Sequence, residues 1–154
     1  MAWKGSNKYF ARKVVYKGDK YDSTHERDRL IQLEYMQKKG KISCLRTQRE
    51  FLILTATTKL IPVQLKTKVR YDKKVVEQDA RYTCDFIYKE GDNYILEEFK
   101  SEKTAKLADY ILRRKLMMKK IQEHNKKGRG RWIFREVVYY FDKNKPNTIE
   151  DKEV

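Results

Sequence analysis

Residues 82–100 read YTCDFIYKEGDNYILEEFK. Apolar and polar residues alternate on both sides of Glu90-Gly-Asp-Asn93, the mark of two strands joined by a tight turn. Taking Glu90–Asn93 as the loop sets Lys89 opposite Tyr94, Ile87 opposite Leu96 and Asp85 opposite Glu98. Side chains alternate along a strand, so Glu98 and Lys100 share one face while Glu97 turns to the other. The hairpin thus predicts two carboxylates and one amine together at the end of an apolar element. Like charges about 4 Å apart repel by about 4 kcal/mol at an effective dielectric near 20. Lys100 offsets part of that, and a divalent cation would offset more. Mg²⁺ suits the arrangement, because it takes one or two carboxylates and keeps waters for a phosphate-bearing substrate. It would polarise a phosphodiester and acidify an attacking water, with Lys100 orienting that water or stabilising developing charge. A surface-facing, salt-bridged hairpin is the other reading, since an acid two positions before a lysine recurs at Asp72/Lys74 and Glu150/Lys152.

The rest of the chain frames that hairpin. Its 154 residues, 40% hydrophobic, suffice for one domain with a real core. Lys and Arg number 37 against 22 acids, a formal charge of +15 that favours a polyanionic partner. Cys44 and Cys84 form no CxxC pair, which argues against a zinc site and a disulfide scaffold, and Cys84 reads as a buried small hydrophobe. His25 and His124 are not at metal-ligand spacing. No signal-peptide pattern opens the sequence and no stretch approaches a membrane span, so no membrane association and a cytoplasmic, reducing setting are expected.

Along the chain, residues 1–22 form a basic arm ending in a short hairpin around Lys17–Lys20. A helix is predicted from Thr24 to about Lys39, capped by Ser23, stopped by Gly40 and striped by Leu30, Leu33 and Met36. Residues 50–61 read as a core strand ended by Pro62. Residues 64–71 read as a strand with Lys66, Lys68 and Arg70 on one face, and 72–80 as a connection. A long helix is expected from about Lys103 to His124, buried on two sides by Leu107, Ile111, Met118 and Ile121 and by Ala108, Leu112 and Leu116. NKKGRGR reads as a basic loop, residues 131–141 as a last strand and 142–154 as a flexible tail.

Asp85, a turn and Glu98-Phe99-Lys100 followed by a helix resemble the PD-(D/E)xK nuclease superfamily. YDSTHERDRLIQL, LRTQREFLIL, YTCDFIY and LEEFKSEKT…LRRKLM are similar, in order and spacing over roughly residues 8–140, to small phage-encoded members akin to Holliday junction resolvases and VRR-type nucleases. Cys84 stands where the name-giving proline would be. The resemblance implies an α/β fold with a restriction-endonuclease-like core (helix, three-strand meander, helix, strand) and a mixed central sheet, spanning residues 23–141. It implies a Mg²⁺-dependent endodeoxyribonuclease, with Mn²⁺ able to substitute, acting on branched DNA as a junction resolvase. A nickase, a flap or transposon-end nuclease, or a non-catalytic binder on the same fold are its rivals. Two symmetric cuts imply a homodimer, and a phage origin implies the host cytoplasm.

On that resemblance Asp85 and Glu98 bind the metal, Glu26 completes the cluster and Lys100 activates the water, which attacks in line with the 3′ oxygen and leaves a 5′ phosphate. Glu26 also fits a capping box with Ser23, but its i, i+4, i+7 spacing with Leu30 and Leu33 turns it toward the sheet. Gln48 matches a glutamine frequent in the family, and otherwise reads as a hydrogen bonder at a strand start. His25 is rotated about 100° from Glu26. Lys106, Arg113 and Lys120 form a stripe at i, i+7, i+14. With Lys66, Lys68, Arg70 and Arg129, they are candidates for DNA-backbone binding.

Overall fold

The computed structural model describes residues 13–21 and 23–154, so most of the predicted N-terminal arm, residues 1–12, lies outside the described residues. The arm's end folds as predicted into a hairpin of β1 (Val14–Tyr16) and β2 (Asp19–Tyr21), and Tyr21 is buried in the domain core. Helix α1 (Thr24–Lys38) starts where Ser23 Oγ accepts the Glu26 N–H at 3.1 Å. It stops at Gly40, whose φ of 73° suits a residue without Cβ, as the Lys41 N–H turns back to the Met36 carbonyl.

The chain then runs through β3 (Ser43–Leu54), β4 (Thr57–Gln64), β5 (Val69–Glu77), β6 (Ala80–Glu90) and β7 (Asn93–Ser101). Helix α2 (Ala108–Lys126) leads to β8 (Arg131–Tyr139) and β9 (Thr148–Lys152). Five strands form one mixed sheet in the order β3-β6-β7-β8-β9, antiparallel except for β7 and β8, which α2 joins as a parallel crossover. The fold is therefore mixed α/β, with a mixed central sheet and two helices.

The 82–100 hairpin has the expected register from Lys89 opposite Tyr94 and Ile87 opposite Leu96 as far as Phe86 opposite Glu97, but the predicted Asp85–Glu98 pair lies beyond the end of the ladder. Its turn is tighter than predicted, because Glu90 already pairs with Asn93 and only Gly91-Asp92 remain. Elsewhere several expectations need correction. Residues 50–61 are not one strand: β3 ends at Leu54, and Pro62 lies inside β4. Both strands of the β4–β5 ribbon are edges, so a proline there sacrifices no second ladder. Residues 64–71 are not a strand with a cationic face, since Lys66 and Lys68 occupy the turn closed by the Leu65 N–H to Lys68 carbonyl bond, 2.9 Å. Residues 72–80, expected as a connection, are mostly β5.

The second helix also starts later than Lys103. Ser101 Oγ accepts the Thr104 N–H at 3.1 Å, a single 3₁₀ turn spans Thr104–Lys106, and Leu107 is extended (ψ 134°) before α2 begins. Lys106 therefore lies off the helix that carries Arg113 and Lys120. Nor is α2 buried on two sides: Tyr110, Met117 and Ile121 face the sheet, whereas Leu112 is 59% exposed. The tail, finally, is not all flexible coil, since β9 pairs with β8.

Two cores flank the sheet. Leu30 and Leu33 of α1 meet Phe86, Tyr88, Ile95 and Phe99, while Met117 and Ile121 of α2 meet Tyr82, Cys84, Leu96 and Phe134. Tyr82 and Cys84 thus pack on the α2 side and Phe86 and Tyr88 on the α1 side, so the two-residue alternation of β6 changes phase at Asp85. The β6–β7 ladder ends at the same level, with Phe86 opposite Glu97.

Glu97, a buried acid of β7, is closed into an ion pair. Glu97 accepts from Arg29 at 2.6 and 3.0 Å and from the Tyr88 hydroxyl at 2.6 Å. Arg135 donates to Tyr88, Glu90 and Asp151, tying β9 to the network. Replacing Glu97 with Ala leaves Arg29 desolvated without its partner, and should cost about 3–5 kcal/mol in urea unfolding. A loss below about 1 kcal/mol would mean that water screens the pair.

Candidate active site

Asp85 sits where β6 changes face, and its carboxylate replaces the missing ladder partner: Oδ2 accepts the Phe99 N–H at 2.9 Å. The same oxygen accepts from Lys100 Nζ at 3.0 Å, and Lys100 also meets Glu98 Oε2 at 2.7 Å. One ammonium therefore bridges two carboxylates, from adjacent strands, at one end of the sheet. Both carboxylates and the lysine open on a cavity of about 370 Å³. Glu26 of α1 and Gln48 of β3 line it as well. All five residues expected at the site on the resemblance thus converge on one cavity.

Local backbone geometry explains how Gln48 arrives there. It adopts φ 50°, the left-handed region that glycine favours, between the β3–β6 pairs Thr47–Phe86 and Arg49–Cys84. Its amide Nε2 donates to the Lys20 carbonyl at 2.9 Å, anchoring the β1–β2 hairpin beside the site. Asp85 and Gln48 are thus the irregular residues on facing rungs of β6 and β3.

The electrostatics of Glu98 set it apart. It is 1% exposed, and its Oε1 is buried without a hydrogen-bond partner among the described residues. Burial first, and the neighbouring Asp85 charge second, push its carboxyl up to about 8, against the opposing pull of Lys100. Lys100 keeps its proton, because the charges of Asp85 and Glu98 outweigh the burial that works against the ammonium. The Tyr82 hydroxyl lies close enough to couple electrostatically with Glu98 yet meets no hydrogen-bond geometry, and burial holds it far above the usual phenol range. Glu136, by contrast, accepts from Tyr110 at 2.6 Å and from Arg114 at 2.7 Å, so that Glu97 and Glu136 each own an arginine and a tyrosine.

Among the described residues, no three His, Cys, Asp or Glu side chains stand at metal-ligand spacing. Glu26, expected to complete a three-carboxylate cluster, is buried at the cavity wall but not grouped with Asp85 and Glu98 at that spacing. Two hard carboxylates with one buried oxygen left over nevertheless fit a divalent cation that prefers oxygen and retains water.

The other candidates divide. Arg113 lines the cavity and donates to the Arg81 carbonyl at 3.0 Å. Lys120 borders a separate apolar groove with Phe51, Met117, Ile121, His124 and Trp132. Lys66, Lys68 and Arg70 lie on the β4–β5 ribbon, and Arg129 in the exposed turn after α2. His25 is not at the cavity and stacks on Tyr139, with ring centroids 4.4 Å apart. Reading the sequence missed Tyr82, Thr83, Thr104, Asp109 and Tyr110, which with Leu107 complete the cavity wall. Tyr82 was legible only as packing, because the phase change that turns it to this side has no signature in a period-two pattern.

The displaced Glu98 ionisation has a sign that can be tested. Its folded value lies above the ordinary 4.5, so its contribution to stability is full below about 4.5 and is lost as pH rises toward about 8. In EDTA, Glu98→Gln should therefore melt higher than wild type at pH 8.5, by about 2–4 kcal/mol in stability, with the gap closing toward pH 4.5. A gap independent of pH would assign the effect to packing.

A search of curated proteins and of solved structures returned no match to this chain. The model of one family, described as a protein of unknown function (DUF1064), matches residues 6–140. That match spans well over half the sequence, and the chain belongs to this family.

Proposed function

We propose that the protein is a metal-dependent endonuclease that hydrolyses phosphodiester bonds in branched DNA, acting as a junction resolvase of the PD-(D/E)xK type. The observation that carries this reading is the convergence of Asp85, Glu98 and Lys100 on one cavity, with Glu98 Oε1 meeting no hydrogen-bond geometry among the described residues. Glu97 and Glu136 each have their own arginine, whereas the two carboxylates of Asp85 and Glu98 share one lysine. The element order around it supports the reading: α1, then β3, β6 and β7, then α2 and β8, with β7 and β8 parallel and the acids on the interior strands β6 and β7.

Asp85 and Glu98 would hold Mg²⁺ or Mn²⁺, which when bound supplies charge neutralisation at the phosphate and acidification of a coordinated water. Lys100 has a second task. Its ammonium is fixed between the two acids, so it orients a water beside the phosphorus and offsets charge as that water attacks. Gln48 and Glu26 bound the cavity on the sides of β3 and α1 and would flank that water. Arg113, at the rim, offers a donor to a non-bridging phosphate oxygen. The charge of +15 favours a polyanion over a small substrate. Cutting a junction symmetrically requires two such sites related by a two-fold axis, hence a homodimer.

Labelled four-way junction, flap and linear duplex incubated with Mg²⁺ or EDTA test the activity. Wild type should cut the junction at paired positions only with the metal. Asp85→Asn and Lys100→Ala should lower the rate by about 100-fold or more while circular dichroism stays native. Full activity in Asp85→Asn would rule the assignment out.

A further inference from the structure

Strands β4 and β5 pair with each other and, among the described residues, with no other element to a comparable extent. A lone two-stranded ribbon is marginal in water, and this one turns apolar residues outward. Cross-strand partners share a face, so Leu60, Pro62 and Gln64 stand with Lys73, Tyr71 and Val69. Leu60 is 62% exposed and Tyr71 64%. The opposite face carries Lys59, Lys74 and Arg70 beside the half-buried Ile61 and Val63, with Arg70 held to Asp72 at 2.7 Å, and Lys66 and Lys68 occupy the tip. Residues 57–77 hold six cations against two acids.

An apolar wedge framed by cations matches one ligand chemistry: nucleobases with open stacking faces between phosphates. Proteins that kink nucleic acid insert apolar side chains between base steps while Lys and Arg hold the backbone, and a two-stranded ribbon is narrow enough to enter a groove. Base faces are hidden inside a continuous duplex and open at a branch. The ribbon extends about 27 Å and is rooted beside the candidate site, since β5 ends at Glu77 and β6, which carries Asp85, starts at Ala80. A second copy laid on this face would set two net-cationic ribbons against each other.

We propose that the β4–β5 ribbon reads the branch point of DNA: Tyr71 and Pro62 stack on bases exposed there, and Lys66, Lys68 and Arg70 hold the flanking phosphates. The inference deepens the proposed nuclease function and rests on it for what the bound branch is presented to, whereas the binding itself is separable. Anisotropy of a labelled four-way junction and of a linear duplex of equal length, in EDTA so that nothing is cut, measures it on the full chain. Tyr71→Ala should weaken junction binding about 10-fold and duplex binding less than about 2-fold, with an unchanged melting curve. The triple variant Lys66→Gln, Lys68→Gln, Arg70→Gln should weaken both and flatten the log–log salt slope by about 2–3. Equal loss on both substrates in Tyr71→Ala, or no loss, overturns the proposal. So does a dimer that Tyr71→Ala dissociates in sedimentation while junction preference persists, which would assign the face to a second copy. Tyr71-dependent junction preference in a protein that fails to cut whichever divalent metal is supplied would uphold the ribbon and remove the nuclease reading. Junction cutting and binding indifferent to the ribbon variants would do the reverse.

Discussion

Asp85 and Glu98 both lean on the Lys100 ammonium, and neighbouring parts of the fold bend to make that possible. β6 changes face at Asp85, its ladder with β7 stops one residue short, and the freed Phe99 N–H goes to the Asp85 carboxylate. β3 answers with a left-handed Gln48 at the facing rung. Helix α2 cannot start directly after β7, because Ser101 and Thr104 close a 3₁₀ turn at the cavity rim. These departures adjoin the same 370 Å³ space, as expected where local regularity is surrendered to a site.

The remainder of the sheet shows the contrasting solution to the same problem. Glu97, next in sequence to Glu98 and on the opposite face, is enclosed by a two-pronged arginine and a tyrosine hydroxyl, and Glu136 receives a similar pair. These networks fasten α1 to β7 and α2 to β8, so the two helices that carry Glu26 and Arg113 are fixed relative to the strands that carry Asp85 and Glu98. Stability and the site are thus built from adjacent residues of one strand, divided by its pleat.

Much of this was legible in sequence, for reasons that can be named. The hairpin register followed from alternation around Gly91-Asp92, and α1 from its Ser23 cap and Gly40 stop. Alternation likewise separated Glu98 from Glu97. On the ribbon and at β9, where reading failed, burial was not the force at work. The ribbon escaped because both its faces are largely exposed, leaving no apolar period to detect, and because Pro62 is harmless on an edge strand. β9 has a single apolar residue, Ile149, and is held instead by backbone pairing and the Arg135–Asp151 ion pair. On α2 the leucines suggested two buried faces, whereas Tyr110, with its hydroxyl on Glu136, belongs to the one face that is buried.

The central claim is that the Asp85–Glu98 pair is built to hold a divalent cation. Diffraction from crystals soaked in Mn²⁺, recorded at the manganese absorption edge, tests it most directly. An anomalous peak within bonding distance of both carboxylates, lost in Asp85→Asn crystals, is the predicted result. Manganese bound only elsewhere, with Lys100 still bridging the two acids at high metal concentration, would contradict the account and leave the trio as a structural ion pair.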